Sequence, residues 1–187
     1  MKILIIGRGG REHAIAWKVA QSALNPQLFV APGNEGMCTI KDAPVTLVPI
    51  DETNTEQLLA FAQENAIDLT IVGPEAALMN GIANRFHEAG LKIFAPTCEA
   101  AQIEGSKQFA KDLMDKYNIP TAAYRTFEEY EEAKAYLDEV GAPIVIKYDG
   151  LAAGKGVVVA LTAEEADEAL KDMLLDNHFG KGKVVME

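Results

Sequence analysis

Short apolar runs alternate with amphipathic stretches from Met1 to about Ala100. Residues 3–6, 28–31, 46–49, 69–72 and 92–94 are brief, largely apolar and bounded by turn residues, which predicts strands. Between them, residues 12–21, 55–65 and 78–89 carry the 3.6-residue period of helices. In the second helix Leu58, Phe61, Ala62 and Asn65 share one face, with a polar end. Strand–helix alternation at this spacing predicts an α/β fold, a Rossmann-like parallel sheet covered on both faces. Ligands of such sheets bind in the crevice beyond the carboxyl ends of the strands.

The texture then changes. Gly105-Ser106 opens a helix running to about Tyr117, with Ser106 in the N-cap position, and Asn118-Ile119-Pro120 ends it. The expected boundary lies here, giving a substrate-binding domain with its linking helix over 1–120 and a small α+β unit over 121–187. In the second unit a helix at 128–140 leads to a strand at 144–147, a glycine-rich loop and a strand at 156–160. A helix from 162 to 175 follows, with Ala166, Leu170, Met173 and Leu174 on one face. The two strands read as a hairpin-like pair. Glu128–Glu132 reads as a solvated first turn, where carboxylates suit the helix dipole. The last residues, Lys183-Val184-Val185-Met186-Glu187, read as a core strand just reached, so the chain is expected to be a truncated piece.

Composition adds limits. The chain has 187 residues, 49% of them hydrophobic, enough for one good core or two small ones. Its formal net charge of −11 repels phosphate backbones and anionic lipid, which argues against nucleic acid or a membrane surface as partner. A small anion can still bind where the few cationic side chains and backbone N–H groups converge. Cys38 and Cys98 stand far apart and in no ligand-like spacing, as idle thiols of a reducing cytosol do. The first apolar run is too short for a signal peptide and no stretch approaches a membrane span, so a soluble cytoplasmic protein is expected.

The turn after the first strand is Gly7-Arg8-Gly9-Gly10-Arg11-Glu12. A dinucleotide fingerprint needs a third glycine where Glu12 stands, which counts against a nicotinamide-dependent oxidoreductase. What remains is a glycine-rich turn feeding a helix N-terminus, with free N–H groups, a positive dipole end and the Arg11 fork for phosphate oxygens. His13, in the first turn of that helix, is a further candidate. Ala31-Pro32-Gly33-Asn34-Glu35-Gly36 and Gly73-Pro74-Glu75 follow strands on the same edge. Together the loops describe a shallow pocket for a phosphorylated sugar. His87 and His178 have no company at metal spacing.

The sharpest signal is Ile144-Val145-Ile146-Lys147-Tyr148-Asp149-Gly150-Leu151-Ala152-Ala153-Gly154-Lys155-Gly156-Val157. It fails as a Walker A loop, because Gly156 stands where a hydroxyl belongs and β-branched residues, not a helix, follow. It offers instead a small-residue flap able to lie over a triphosphate. Lys147 at a strand end and Lys107 just inside the linking helix are the candidate phosphate lysines.

With these motifs quoted, the chain closely resembles the phosphoribosylamine–glycine ligase (glycinamide ribonucleotide synthetase) family of the ATP-grasp superfamily, from Met1 to Glu187. The carriers are Gly7-Arg8-Gly9-Gly10-Arg11-Glu12-His13-Ala14, Ala31-Pro32-Gly33-Asn34, Ile71-Val72-Gly73-Pro74-Glu75, Gly105-Ser106-Lys107 and the Asp149–Val157 loop. The resemblance implies that ATP phosphorylates glycine and that the amine of 5-phosphoribosylamine displaces phosphate from the glycyl phosphate. A carboxylate is a poor electrophile until its oxygen leaves as phosphate, so catalysis is mostly positioning and charge neutralisation. By position, the resemblance implies phosphoribosylamine contacts at Gly9, Gly10, Arg11, Asn34 and Glu75. It implies ATP contacts at Lys107, Lys147, Asp149, Gly150, Leu151, Ala152, Ala153, Gly154, Lys155, Gly156 and Glu187, the last as the start of an adenine-binding hinge. The implied cofactors are ATP and Mg²⁺ (or Mn²⁺), and the implied form is a monomer acting on small molecules.

Three positions depart from the family pattern. Arg8 and Tyr148 replace smaller residues, implying extra charge near the phosphate site and a crowded loop base. Ala77 replaces a frequent proline. Family members are much longer, so catalytic residues and metal ligands are expected beyond Glu187, none in this segment, and the piece alone is expected not to turn over. A non-catalytic sugar-phosphate or nucleotide module, and an ATP-grasp ligase acting on another phosphoribosyl intermediate or on bicarbonate, are the remaining alternatives.

Overall fold

A computed structural model of the chain describes residues 1–152 and 154–187. By their contacts these residues form two compact units, Met1–Ala101 and Gln102–Glu187. Residues 102–120, including the linking helix, fall with the second unit, not with the first as the expected boundary at 120 had it. The reason is visible in the side chains: the start of that helix bonds Asp149 and Gly150, and its middle bonds Thr121, Ala122 and Glu187.

The first unit runs β1 (Lys2–Gly7), α1 (Gly10–Ala20), β2 (Gln27–Pro32), a 3₁₀ turn (Glu35–Thr39), β3 (Val45–Leu47) and α2 (Thr55–Glu64). It continues with β4 (Leu69–Val72), α3 (Glu75–Met79), α4 (Ile82–Glu88) and β5 (Ile93–Phe94), and α5 (Cys98–Gly105) crosses its boundary. The five strands are all parallel, in the order β3-β2-β1-β4-β5. The strand period of two explains why β1 is apolar throughout. Leu4 and Ile6 enter the cluster with Leu58, Ala62, Ile82 and Phe86, whereas Ile3 and Ile5 enter the cluster with Ala16, Ala20 and Met37. Both faces are covered, and each fully buried Leu or Ile stabilises by about 2 kcal/mol. The order of strand addition reverses at β1, which has β2 on one side and β4 on the other. Such a switch point opens a crevice at the strand carboxyl ends.

One expected helix, over 78–89, is two. Gly81 has φ of +75°, a left-handed conformation that an L side chain rarely adopts, and it separates α3 from α4. The 3₁₀ turn and α5 were not anticipated.

The second unit contains α6 (Lys107–Lys116), β6 (Arg125–Phe127), α7 (Tyr130–Val140), β7 (Ile144–Tyr148), β8 (Val157–Ala160), α8 (Ala163–Leu174) and β9 (Val184–Met186). Ser106 caps α6, its hydroxyl accepting from the Phe109 N–H at 3.1 Å. Its sheet is antiparallel, in the order β6-β9-β7-β8, so the expected β7–β8 pair forms and β9 lies inside the sheet. The strand β6 was not anticipated. One face carries Ile144, Ile146, Tyr148, Val184 and Met186 onto α7 and α8, where Leu137, Ala166, Leu170 and Met173 complete the core. Alternation therefore turns Lys147 and Glu187 to the other face. Backbone bonds between Val145 and Glu187, 2.7 and 2.9 Å, make Lys147 and Glu187 diagonal neighbours on it.

Among the described residues, no helix is long and apolar enough to cross a membrane.

Candidate functional site

In the first unit the turn after β1 and the turn after β4 enclose a cavity of about 410 Å³. It is lined by Arg8, Gly9, Gly10, Arg11, Glu12, Glu52, Pro74 and Glu75. Gly9 caps α1 with extended backbone, leaving the first N–H groups of the helix at the cavity. The Arg11 guanidinium reaches across to the β4 turn, donating to the Gly73 carbonyl at 2.6 Å and pairing with Glu75 at 3.3 Å. The Glu75 carboxyl sits below the ordinary range: its own backbone N–H bonds it, burial opposes, and Arg11 adds to the lowering. Gly9, Gly10, Arg11 and Glu75 thus meet in one cavity.

Asn34 does not line it. Its side-chain amide donates to the Arg8 carbonyl at 2.7 Å and so steadies the turn from outside. His13 faces the 3₁₀ turn, where a methyl group on Gly36 would lie 3.3 Å from its ring. Arg8 stays charged but is offset by its partners: Glu52 and Asp51 each bind it at 2.8 Å and, Glu52 foremost, raise its pKa.

Glu12 explains its own departure from the dinucleotide fingerprint. It is buried, and its carboxylate accepts the Gly9 N–H at 2.7 Å. The side chain lies across the ends of β1 and β4. A β-carbon at Gly73 would fall 2.6 Å from Glu12 Cδ, and one at Gly7 would overlap the same side chain. The side chain fills the space between α1 and the strand ends that a third glycine leaves free for close helix–strand packing.

The second unit holds two clusters. At the α6 N-terminus, Asp149 accepts from the Gln108 N–H at 3.1 Å and the Ser106 hydroxyl at 3.2 Å, and Lys107 donates to the Gly150 carbonyl at 3.0 Å. The base of the flap is therefore anchored to the helix. Leu151, Gly154 and Lys155 are exposed, Ala152 is half-buried and Gly156 is buried. Ala153 lies outside the described residues. Tyr148 belongs to the core, its ring 5.4 Å from Phe179, and a methyl group on Gly182 would strike its hydroxyl at 2.6 Å. It crowds the loop base, and the neighbouring glycines make room for it.

The other cluster centres on Glu187. One carboxylate oxygen pairs with Lys147 and the other with Lys111. Burial alone would raise this carboxyl, but bonds from Lys111 and Lys147 outweigh it and hold the group below the ordinary range. Lys107 and Lys147, expected as one phosphate-binding pair, end on different partners. Lys111 was missed entirely. Its place four residues after Lys107 is too weak a signal to find it, since a like-charge pair at that spacing costs only about 0.2–0.5 kcal/mol. A cavity of about 530 Å³ beside Thr121 and Ala122 carries Asp112 and Asp115, whose charges disfavour phosphate. There Tyr124 donates to Asp112 at 2.6 Å, and its phenol is pushed up to about 12.

Two family models cover these units in order. Residues 1–104 match the phosphoribosylglycinamide synthetase N domain and residues 105–187 the ATP-grasp (A) domain of the same enzyme. The chain belongs to the phosphoribosylglycinamide synthetase family. Curated relatives named phosphoribosylamine–glycine ligase include one from Pasteurella multocida, 59% identical, and one from Escherichia coli K12, 58% identical. Each match covers 100% of this chain and 44% of the relative, so the chain spans less than half the length of these synthetases. The crystal structure of a phosphoribosylamine–glycine ligase from Thermotoga maritima superposes with a TM-score of 0.77 at 31% identity, covering 100% of this chain and 43% of that one. An N5-carboxyaminoimidazole ribonucleotide synthetase in its ADP complex shares the fold alone, at 20% identity and TM-score 0.76, over 100% of this chain and 46% of that one.

Proposed function

We propose that the whole protein joins glycine to 5-phosphoribosylamine at the expense of ATP, through glycyl phosphate, giving glycinamide ribonucleotide, ADP and phosphate in cytoplasmic purine synthesis. The observation that carries this is identity of 56–59%, over the whole of this chain and 43–44% of each relative, to proteins named phosphoribosylamine–glycine ligase. The first-unit cavity supports it: the helix N-terminus at Gly10, with Arg11, suits the sugar phosphate. The carboxylates of Glu12 and Glu75 suit hydroxyl or amine donors.

In the second unit, Lys107 and Lys147 hold the nucleotide phosphates. The loop carrying Asp149, Gly150, Leu151, Ala152, Gly154, Lys155 and Gly156 lies over them, and Glu187 meets adenine. Among the described residues, no group of three His, Cys, Asp or Glu side chains converges to hold an ion.

The test is ADP release by the full-length protein with ATP, Mg²⁺, glycine and freshly formed phosphoribosylamine. Release that requires both glycine and the amine is expected. Release that persists without glycine, or with bicarbonate in its place, overturns the reading in favour of another ligase.

A further inference from the structure

Lys111 is the one buried residue of α6. Its ammonium donates to the Thr121 hydroxyl at 2.8 Å and the Ala122 carbonyl at 3.3 Å, pairs with Glu187, and lies 5.5 Å from the Tyr124 ring centroid. Two of its N–H groups go to the Thr121 hydroxyl and the Ala122 carbonyl, and its charge is matched by Glu187. Lys111 is thus committed to protein groups. Lys147 differs: its side chain is 27% exposed against 10% for Lys111, and its recorded side-chain partner is Glu187.

The asymmetry has a consequence for Glu187. If Lys147 turns to a nucleotide phosphate, one oxygen of Glu187 is released. A buried carboxylate stripped of its only cation is costly, and binding would have to bear that cost. With Lys111 on the second oxygen the charge stays compensated and the carboxylate plane stays fixed.

We propose that Lys111 is a positioning residue for nucleotide recognition: it holds Glu187 while Lys147 exchanges Glu187 for phosphate, leaving the freed carboxylate oxygen to accept an adenine amino N–H. This rests on the ATP reading above. The same oxygen faces guanine unfavourably, because guanine carries a carbonyl where adenine carries its amine. Lys111 therefore acts on base selectivity through Glu187, without touching the nucleotide.

The test uses the full-length protein and calorimetric affinities for non-hydrolysable ATP and GTP analogues, with ribose 5-phosphate as the probe of the first unit. K111M should weaken the ATP analogue by about tenfold or more and shrink the adenine-over-guanine ratio, with ribose 5-phosphate unaffected. K111R should recover most of the loss, and on an E187Q background K111M should add little, since the two act as one unit. An ATP-analogue affinity for K111M within about twofold of the parent overturns the proposal, as does an equal loss on the E187Q background. An equal loss of ribose 5-phosphate affinity overturns it too, marking general unfolding. Should K111M not fold, T121V removes one acceptor of the same ammonium and should lower the base ratio in the same direction. An unchanged ratio there is equally fatal. Parent protein that binds no ATP analogue sinks the ATP reading together with this one, whereas a binding parent with an indifferent K111M sinks only this one.

Discussion

The two units solve opposite electrostatic problems. In the first, the cavity charges are exposed: the Arg11 and Glu75 side chains are 59% and 39% accessible, and backbone geometry does the organising. In the second, the Lys111 and Glu187 side chains are only 10% and 12% accessible, and charges organise one another. A surface pair contributes little to stability because water screens it, so Arg11 remains available for a ligand. A buried pair is tolerated only while each member is matched, so removing one partner is felt by the fold as well as by the ligand. One site is open by topology and the other is held by mutual compensation.

Glu187→Gln tests that contrast most severely. It leaves Lys111 and Lys147 facing a neutral amide, and breaking a buried pair costs about 3–5 kcal/mol. Urea unfolding followed by a probe in the second unit should show that loss, with the first unit unchanged. The pH dependence has a definite sign. A carboxyl held below its ordinary range contributes stability that is complete above the ordinary glutamate range and is lost as pH falls through the lowered value. The parent should lose second-unit stability on acidification, and the variant should lose much less. Equal acid sensitivity in both would mean that Glu187 is not matched as the geometry implies.

Gly73→Ala is the corresponding challenge to the first unit. The added methyl overlaps the buried Glu12 side chain, and such overpacking costs about 1–3 kcal/mol. Glu12→Ala in the same protein should restore part of the loss, because the obstacle and the carboxylate compete for one space. A double variant as unstable as the sum of its parts would show that the clash is relieved elsewhere.

These contrasts also explain what was legible in the chain. The parallel sheet showed in the apolar runs at 3–6, 28–31 and 69–72, since a strand buried on both faces must be apolar throughout. Gly9, Gly10 and Arg11 were legible because an exposed site is built from neighbours in sequence. The division of residues 78–89 was not, because Gly81 within a helical pattern is usually tolerated. Lys111 was hidden for a different reason. In Lys107-Gln108-Phe109-Ala110-Lys111-Asp112 it resembles any solvated helix residue, while Thr121 and Glu187, which bury it, lie far along the chain. Glu12 was visible as a missing glycine, yet what it fills depends on Gly73 in another strand turn.

Arg11→Ala should change binding with little change in folding. On the proposed reading its fork would give charge-assisted bonds to the sugar phosphate, so KM for phosphoribosylamine should rise about tenfold while KM for ATP stays put. Loss of ATP affinity of similar size would break the separation between the units' roles.

Arg8→Ser carries the smallest expected effect and sharpens the comparison from below. Arg8 lies beside the same cavity, but Asp51 and Glu52 already occupy its guanidinium at the surface. Removing it deletes exposed ion pairs and releases two carboxylates, of which Glu52 lines the cavity. The melting temperature should not move measurably, because screened pairs contribute little. KM for the sugar phosphate should rise slightly at low salt, where freed carboxylates repel it, and return to the parent value as salt screens them. A large, salt-independent rise would instead make Arg8 a direct phosphate ligand, and the exposed site would then depend on a paired charge as the buried one does.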